Sequence, residues 1–332
     1  ETKRHDFSNT QFAVLALRVA LENRIEVPAE VFLGVSSLFT GALQLENEPF
    51  ELIFQPSSRF EELLGLASPP YPRRARLPPR RRPVRRCLWA ASPRGLGRAM
   101  TEALVRAGAR VSMMDINQQW LEETSNYMRE IGGDDCVMTQ VVDVTSIGEA
   151  EQSIERTIEE LGGLHILVNN AGVAPPTMLL GGATENKFWE ISAGEWDRVV
   201  AVNSNGPFYM TRTVVPHFLA QGWGRIIGVT TSMNTMYRAG AAPYGPSKAA
   251  HEALIAMASR ELEGTGVTAN VLVPGGMAST DLIPDNTDYE RETMINPDVM
   301  MAPVVWLSSD ESNGTNGQRF IGYYWDEDMP LE

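Results

Sequence analysis

From about residue 87 onward, the apolar positions of this chain keep switching between two periods. Strand-length runs of apolar and β-branched residues fall at 110–115 (RVSMMD), 136–143 (CVMTQVVD), 165–169 (HILVN), 225–231 (RIIGVTT), 267–273 (VTANVLV) and 319–325 (RFIGYYW). Between most of them the period becomes helical, at 97–108, 147–161, 195–220 and 244–263. In the second of these, Ile147, Ile154, Ile158 and Leu161 share a side, and Ser146 with Glu149 reads as a capping box. Strands alternating with helices predict an α/β fold, a doubly wound parallel sheet with helices on both faces. The first strand is the exception. It would be VRRCLWAA (84–91), with Arg85 and Arg86 in or beside a strand that should be apolar throughout. An unpaired buried guanidinium costs several kcal/mol.

The pattern ahead of residue 87 differs. Phe12, Leu15, Ala16 and Val19 lie at helical spacing behind a cap at Asn9 or Thr10, and Pro28 suits the first turn of a second helix. Residues 1–64 are therefore expected to hold a helical hairpin. In YPRRARLPPRRRPVRR (71–86), eight arginines and four prolines occur with no acid, which blocks helix and central strand. Residues 65–86 read either as a solvated linker or as a segment translated in a shifted, GC-rich frame. Residues 87–332 form the sheet domain.

Composition narrows the function. A net charge of −14 argues against nucleic acid as a partner. Apolar stretches such as FAVLAL (12–17) are far too short to cross a bilayer, so no membrane role is expected. Two cysteines, Cys87 and Cys136, imply no disulfide framework and a reducing, cytoplasmic setting. Four scattered histidines offer no metal-ligand spacing, so no metal is expected.

In a doubly wound sheet, ligands bind beyond the carboxyl ends of the strands, and the chemistry-bearing residues fall there. Arg94, Gly95, Leu96 and Gly97 open the 97–108 helix, where backbone N–H groups and the helix dipole favour a pyrophosphate. Twenty residues after Gly95, Asp115 ends a strand; an acid there binds ribose hydroxyls and repels a 2′-phosphate, favouring NAD over NADP. Asp143, followed by Val144, stands at another strand end, where its carboxylate either accepts from adenine or caps the next helix. Asn170, Ala171 and Gly172 follow the 165–169 strand and let a flat ring approach the backbone.

The strongest signal is TTSMNTMYRAGAAPYGPSK (230–248). Tyr244 and Lys248 are four apart at a helix start and share a face, with Ser232 twelve residues before the tyrosine. The chain has only three lysines, Lys3, Lys187 and Lys248, against eight tyrosines, so chance supplies roughly 0.1 such pairs. A phenol titrates near 10; a neighbouring ammonium and a positively charged nicotinamide both favour the phenolate, and a lowering of about 2–3 units is within reach of a partly desolvated cation. This makes an acid/base unit for hydride transfer, with Ser232 bonding the substrate oxygen.

These motifs, in this order, resemble the short-chain dehydrogenase/reductase family from about residue 87 to 330. The family's T-G-x-x-x-G-x-G meets AASPRGLG (90–97), its N-N-A-G is 169–172, and its Ser, Tyr and Lys fall on Ser232, Tyr244 and Lys248. The resemblance implies a Rossmann-like fold and interconversion of a secondary alcohol and a ketone with NAD, NADP being the lesser choice. It implies a fourth catalytic residue, Asn203 in AVNSNGPF, holding a water that links Lys248 to solvent. It places Pro274 and Gly275 of VPGG, with Ser279 or Thr280, against the nicotinamide amide, and VVWLSSDESNGTNGQRFI (304–321) as the closing helix and strand. It also implies a homodimer or homotetramer, associating through the 195–220 and 244–263 helices.

The chain departs from the family in two places. Ala90 and Ala91 stand where the glycine turn has Thr and Gly, so a second reading is an inert scaffold that holds its cofactor poorly. The 33 residues from Asn170 to Asn203 exceed the family's usual spacing; the excess, TMLLGGATENKFWEIS (177–192), is either a surface excursion or an apolar substrate lid. Finally, DFSNTQFAVLAL (6–17) and the hairpin after it resemble one repeat of the squalene-cyclase and prenyltransferase helical barrels, giving a third reading, an isoprenoid-related fusion.

Overall fold

The computed structural model describes residues 87–90, 94–175, 178, 187–283 and 290–326. The N-terminal hairpin with its cyclase-like resemblance, the arginine-rich segment 65–86 and the turn residues 91–93 lie outside the described residues.

Seven strands form one parallel sheet in the order β3-β2-β1-β4-β5-β6-β7. They are β1 (Cys87–Ala90), β2 (Val111–Asp115), β3 (Val137–Val141), β4 (Ile166–Asn169), β5 (Gly224–Val229), β6 (Val267–Val273) and β7 (Arg319–Ile321). The order reverses between β1 and β4, which opens a crevice at their carboxyl ends. β1 pairs with β2 and β4 along its four residues. β7 is shorter than the run at 319–325: the chain turns into a single 3₁₀ turn at Gly322–Tyr324.

Successive strand residues point to opposite faces, so the sheet carries two apolar layers. Ile166 and Val168 join Met100 and Leu104 of α1 (Gly95–Arg106), Leu121 and Met128 of α2 (Gln118–Gly132), and Val304 and Leu307. Leu167, between them, joins the other layer, with Ile154 of α3 (Ile147–Leu161) and Met210, Val214 and Phe218 from a later helix. Each such side chain withdrawn from water contributes about 1.5–3 kcal/mol.

The Ser146 side chain caps α3 by accepting from the Glu149 N–H at 3.3 Å. The capping box does not close, because the Glu149 carboxylate accepts instead from the Asp143 N–H at 2.8 Å. The expected single helix over 195–220 is divided. α4 (Ala193–Val200) runs into one π-helical turn, Ala201–Asn205, and then α5 (Gly206–Gln221). Pro207 has no N–H to continue the regular ladder, and the wider turn takes up the mismatch. After β5 come a short α6 (Met233–Tyr237) and α7 (Tyr244–Glu261); α8 (Met301–Leu307) precedes β7.

Candidate active site

α1 begins directly beyond β1. Arg94 stands at its N-cap position, and Gly95, its first residue, has φ +53°. A Cβ on Gly95 would lie 2.7 Å from Thr280 Cγ2, so the glycine turn and the 274–283 loop touch where only a glycine fits. Gly97 is buried two residues further on, and Leu96 between them packs against the core. The Arg94 guanidinium stacks over Trp120 and pairs with Asp281 at 3.2 Å and Glu123 at 3.6 Å.

Asp115 closes β2 and accepts from the Asn117 N–H at 2.8 Å. Burial holds its carboxyl above the ordinary value, against the pull of these backbone bonds. Ile116 beside it is exposed, an apolar surface at the same edge. Asp143 does not cap the next helix: its Oδ1 accepts from Thr145 N at 2.9 Å and Thr145 Oγ1 at 2.7 Å, closing a local turn, while Ser146 caps α3. Val144 packs under Gly206, whose Cβ would come within 2.9 Å of it. Pro274 and Gly275 are fastened to the end of β7, the Pro274 carbonyl accepting from the Tyr323 N–H at 3.0 Å.

Asn170, Ala171 and Gly172 leave β4 half-buried. Asn203 sits in the π turn, wholly buried, and holds the loop segment that follows them. Its Oδ1 accepts from the Val173 N–H at 2.8 Å and its Nδ2 donates to the Val173 carbonyl at 2.9 Å. The same Nδ2 reaches Ser247 Oγ at 3.0 Å, tying the π turn to the first turn of α7. A Cβ on Gly172 would lie 3.1 Å from Lys248 Nζ and 3.4 Å from Asn203 Oδ1, so a side chain there would fill the space those groups share.

Tyr244 and Lys248 open α7. The lysine is buried and donates from Nζ to the Val229 carbonyl at 3.0 Å; burial pulls its pKa down to about 8. Tyr244 packs against the apolar cluster of Ala174, Met178 and Ala241. The expected lowering of its pKa is not what this environment does. Burial pushes the phenol up to about 12, and only a hydrogen bond with the Thr231 side chain pulls it back. The Lys248 ammonium is spent on a carbonyl, so desolvation dominates.

Ser232 is the N-cap of α6: its Oγ accepts from the Thr235 N–H at 3.1 Å and shares a bond with Thr235 Oγ1 at 2.8 Å. The side chain that draws the Tyr244 pKa down against burial is that of Thr231. Sequence reasoning also passed over Ser247, Glu252 and Arg319. The signal for Glu252 was its place at i+8 from Tyr244, on the face that carries Lys248.

These residues suit a dinucleotide. A helix N-terminus, a glycine without room for a side chain and a strand-ending acid line one half of the crevice; the bare backbone at Gly172 beside a buried ammonium lines the other. A family model described as short chain dehydrogenase matches residues 88–290. The chain belongs to the short-chain dehydrogenases. This dehydrogenase is 30% identical to a short-chain type dehydrogenase/reductase of Picea abies over 242 residues, 68% of this chain and 86% of that protein. It is 27% identical to the 3-oxoacyl-acyl-carrier-protein reductase of Thermotoga maritima over 243 residues, 70% of this chain and 93% of that protein. The crystal structure of levodione reductase shares the fold at a TM-score of 0.66 and 24% identity, covering 73% of this chain and 96% of that one. As a member of this family, the dehydrogenase is a nicotinamide-dependent oxidoreductase. No helix among its described residues is long and apolar enough to cross a membrane.

Proposed function

We propose that this dehydrogenase reduces a ketone to a secondary alcohol with NADH, Tyr244 acting as the general acid. The observation that carries the reading is the state of Tyr244: a desolvated phenol held protonated, with its pKa at about 12, one helical turn from the buried ammonium of Lys248. At neutral pH a phenol in this state is in its acid form, so it stands ready as a donor and not as a base. Bound at Gly95–Gly97, Asp115 and the 170–172 loop, a nicotinamide supplies or accepts the hydride.

The chain's own residues do the rest. The substrate oxygen accepts hydrogen bonds from Tyr244 and from a hydroxyl of the Thr231–Ser232 turn. The Tyr244 proton passes to that oxygen as the carbonyl carbon is reduced. Lys248 holds positive charge beside the ribose hydroxyls and the phenolate, and Asn203 keeps the Val173 backbone and the start of α7 in place for reprotonation. Asp115 favours NADH, because its carboxylate opposes a 2′-phosphate. Arg94 has its charge offset by Asp281 and Glu123, which weakens it as a phosphate ligand. Met178 against Tyr244, with exposed Phe188 and Trp189, supports an apolar lid and a substrate with an apolar group beside its carbonyl. Phe208 and Leu219 of α5 and Met257 of α7 are exposed, which supports association of two or four copies through those helices.

The inert-scaffold reading rests on Arg85 and Arg86 in or beside the first strand and on Ala90 and Ala91 in the glycine turn, and the match to the short chain dehydrogenase model does not favour it. Titration of the full chain with NADH and NADPH by fluorescence tests the proposal, followed by turnover over β-keto esters, sugars, polyols and terpenoid ketones. Micromolar NADH binding, ketone reduction and loss of about a thousandfold in kcat in Tyr244→Phe are expected. Absence of binding at millimolar cofactor would overturn it.

A further inference from the structure

β5 ends at Val229, and the chain then runs outside the sheet until Ser232 caps α6. Carbonyl groups in such a stretch need partners from elsewhere. Lys248 donates to the Val229 carbonyl at 3.0 Å, and Arg319 donates from Nη2 to the Thr231 carbonyl at 2.6 Å. Arg319 is the first residue of β7, so it reaches past β6 to the end of β5. Its Nε donates to Glu252 Oε1 at 2.9 Å, and the other oxygen of that carboxylate accepts from the Thr230 hydroxyl at 2.8 Å. One ion pair thus holds Thr230 by its side chain and Thr231 by its backbone.

The pair joins α7, β7 and the end of β5. It is largely shielded, with side-chain exposures of 25% and 20%, so it keeps more of its strength than a surface pair. The planar fork of the guanidinium serves both acceptors at once. The far end of the segment is fixed as well. α6 lies against the first turn of α7: a Cβ on Gly245 would stand 2.5 Å from the Met236 carbonyl oxygen and 3.0 Å from that of Thr235. Ser232 lies between the two attachments, and Tyr244 is the residue before Gly245. The chain that carries Arg319 goes on to fasten the 274–275 loop, the Tyr323 N–H donating to the Pro274 carbonyl at 3.0 Å.

We propose that Glu252 and Arg319 are positioning residues for ketone reduction, which set the place of the Thr230–Ser232 turn relative to Tyr244 without touching substrate or cofactor. Glu252 rides on the helix that carries the acid, eight residues from Tyr244 on the same face. Its carboxylate therefore ties the turn to that helix, and Arg319 ties both to the sheet. If the turn shifts by part of an ångström, its hydrogen bond to the substrate oxygen lengthens, while the cofactor seat at Gly95–Gly97 and Asp115 stays where it is. Such a misplacement slows the chemical step more than it weakens binding.

This inference rests on the proposed ketone reduction, and the experiment separates the two. The reaction is reduction by NADH of the fastest ketone in the panel above, beginning with ethyl acetoacetate. It is measured for the full-length wild type, Arg319→Met, Arg319→Lys, Glu252→Ala, Glu252→Gln and the double variant Arg319→Met/Glu252→Ala. NADH affinity is read by fluorescence and stability by urea unfolding. Arg319→Met and Glu252→Ala are each expected to lower kcat about thirtyfold, with KM for the ketone and Kd for NADH within about threefold of wild type. The double variant is expected to lose no more than either single one, because both remove the same link. Glu252→Gln, whose amide keeps a partner for Arg319 and for Thr230, should recover kcat to within about fivefold of wild type. Arg319→Lys, whose single nitrogen cannot serve both acceptors, should stay at least about tenfold below it. A merely structural role would lower the urea midpoint and leave the kcat of the folded enzyme unchanged. If the wild type reduces the ketone but Arg319→Met and Glu252→Ala keep kcat within about threefold, or their losses multiply in the double variant, the positioning role falls. Should those variants not fold, equal kcat in Glu252→Gln and Arg319→Lys overturns it. If the wild type reduces none of the ketones on which the proposed function is tested, that function falls, and the positioning role with it.

Discussion

Lys248 Nζ and Asn203 Oδ1 converge on the backbone of Gly172, where a methyl group would stand 3.1 Å from the first and 3.4 Å from the second. The ammonium, the amide and the bare loop therefore share one small volume. Gly172→Ala is expected to push the Lys248 head aside by a few tenths of an ångström. NADH affinity and kcat/KM should both fall by about ten- to a hundredfold, since sub-ångström misplacement in such sites is costly. The loop is half-buried, so the urea midpoint should hardly move. An alanine enzyme with wild-type affinity and turnover would mean that the loop yields instead of the lysine.

The buried Lys248 predicts a trade between stability and activity. Its pKa is about 8 in the folded chain against an ordinary 10.5. The folded state thus binds fewer protons than the unfolded state between those values, and stability rises with pH across that window. Below pH 8 the charged lysine costs the fold on the order of 3 kcal/mol. Lys248→Met removes that cost and loses the bond to the Val229 carbonyl, a loss of about 1 kcal/mol. The variant should be about 2 kcal/mol more stable at pH 7 and lose this advantage by about pH 10, while its kcat collapses. Urea unfolding at the two pH values decides it; a methionine variant weaker than wild type at pH 7 contradicts the account. In the wild type, ketone reduction should decline above pH 8 as the ammonium is lost.

Much of this framework was legible because burial imposes a period on the sequence. β6 coincides with the apolar run at 267–273, and α3 with the pattern at 147–161. α2 did not stand out, because its buried face is Leu121, Thr124, Ser125 and Met128, half of it polar. The π turn at Ala201–Asn205 is invisible to periodicity: what holds it is the hydrogen bonding of Asn203 to residues thirty and forty-four positions away. Spacing put Ser232 near Tyr244, but that its hydroxyl also caps α6 belongs to the folded chain. The direction of the Tyr244 shift was misjudged for a related reason. A charge four residues away is visible in a sequence, whereas desolvation of the phenol belongs to the packed structure.

Asp115 is expected to set the cofactor. Its side chain is anchored by the Asn117 N–H, and burial raises its carboxyl above the ordinary value. Asp115→Ser keeps a hydrogen-bonding group and removes the negative charge facing the ribose. The ratio of kcat/KM for NADH over NADPH should fall at least about tenfold, the scale of one unfavourable charge contact of 1–2 kcal/mol near a protein surface. A ratio unchanged by the serine would move cofactor choice to another residue.

Asn203 offers a test of the π turn that does not depend on turnover. It both donates to and accepts from Val173, and it donates again to Ser247 Oγ, all inside the protein. Asn203→Asp preserves the shape and the acceptor toward the Val173 N–H but replaces the donating nitrogen with an oxygen. An ionised carboxylate would then face the Val173 carbonyl, a repulsion and an unsatisfied acceptor worth about 2–4 kcal/mol. Protonation restores one donor, so the folded state should hold the proton to a higher pH than the unfolded chain does. Stability gained this way is present at low pH and lost as pH rises through the folded pKa. The variant's deficit against wild type in urea should therefore be smaller at pH 5 than at pH 8. A deficit independent of pH would mean that the π turn rearranges and lets the carboxylate reach solvent.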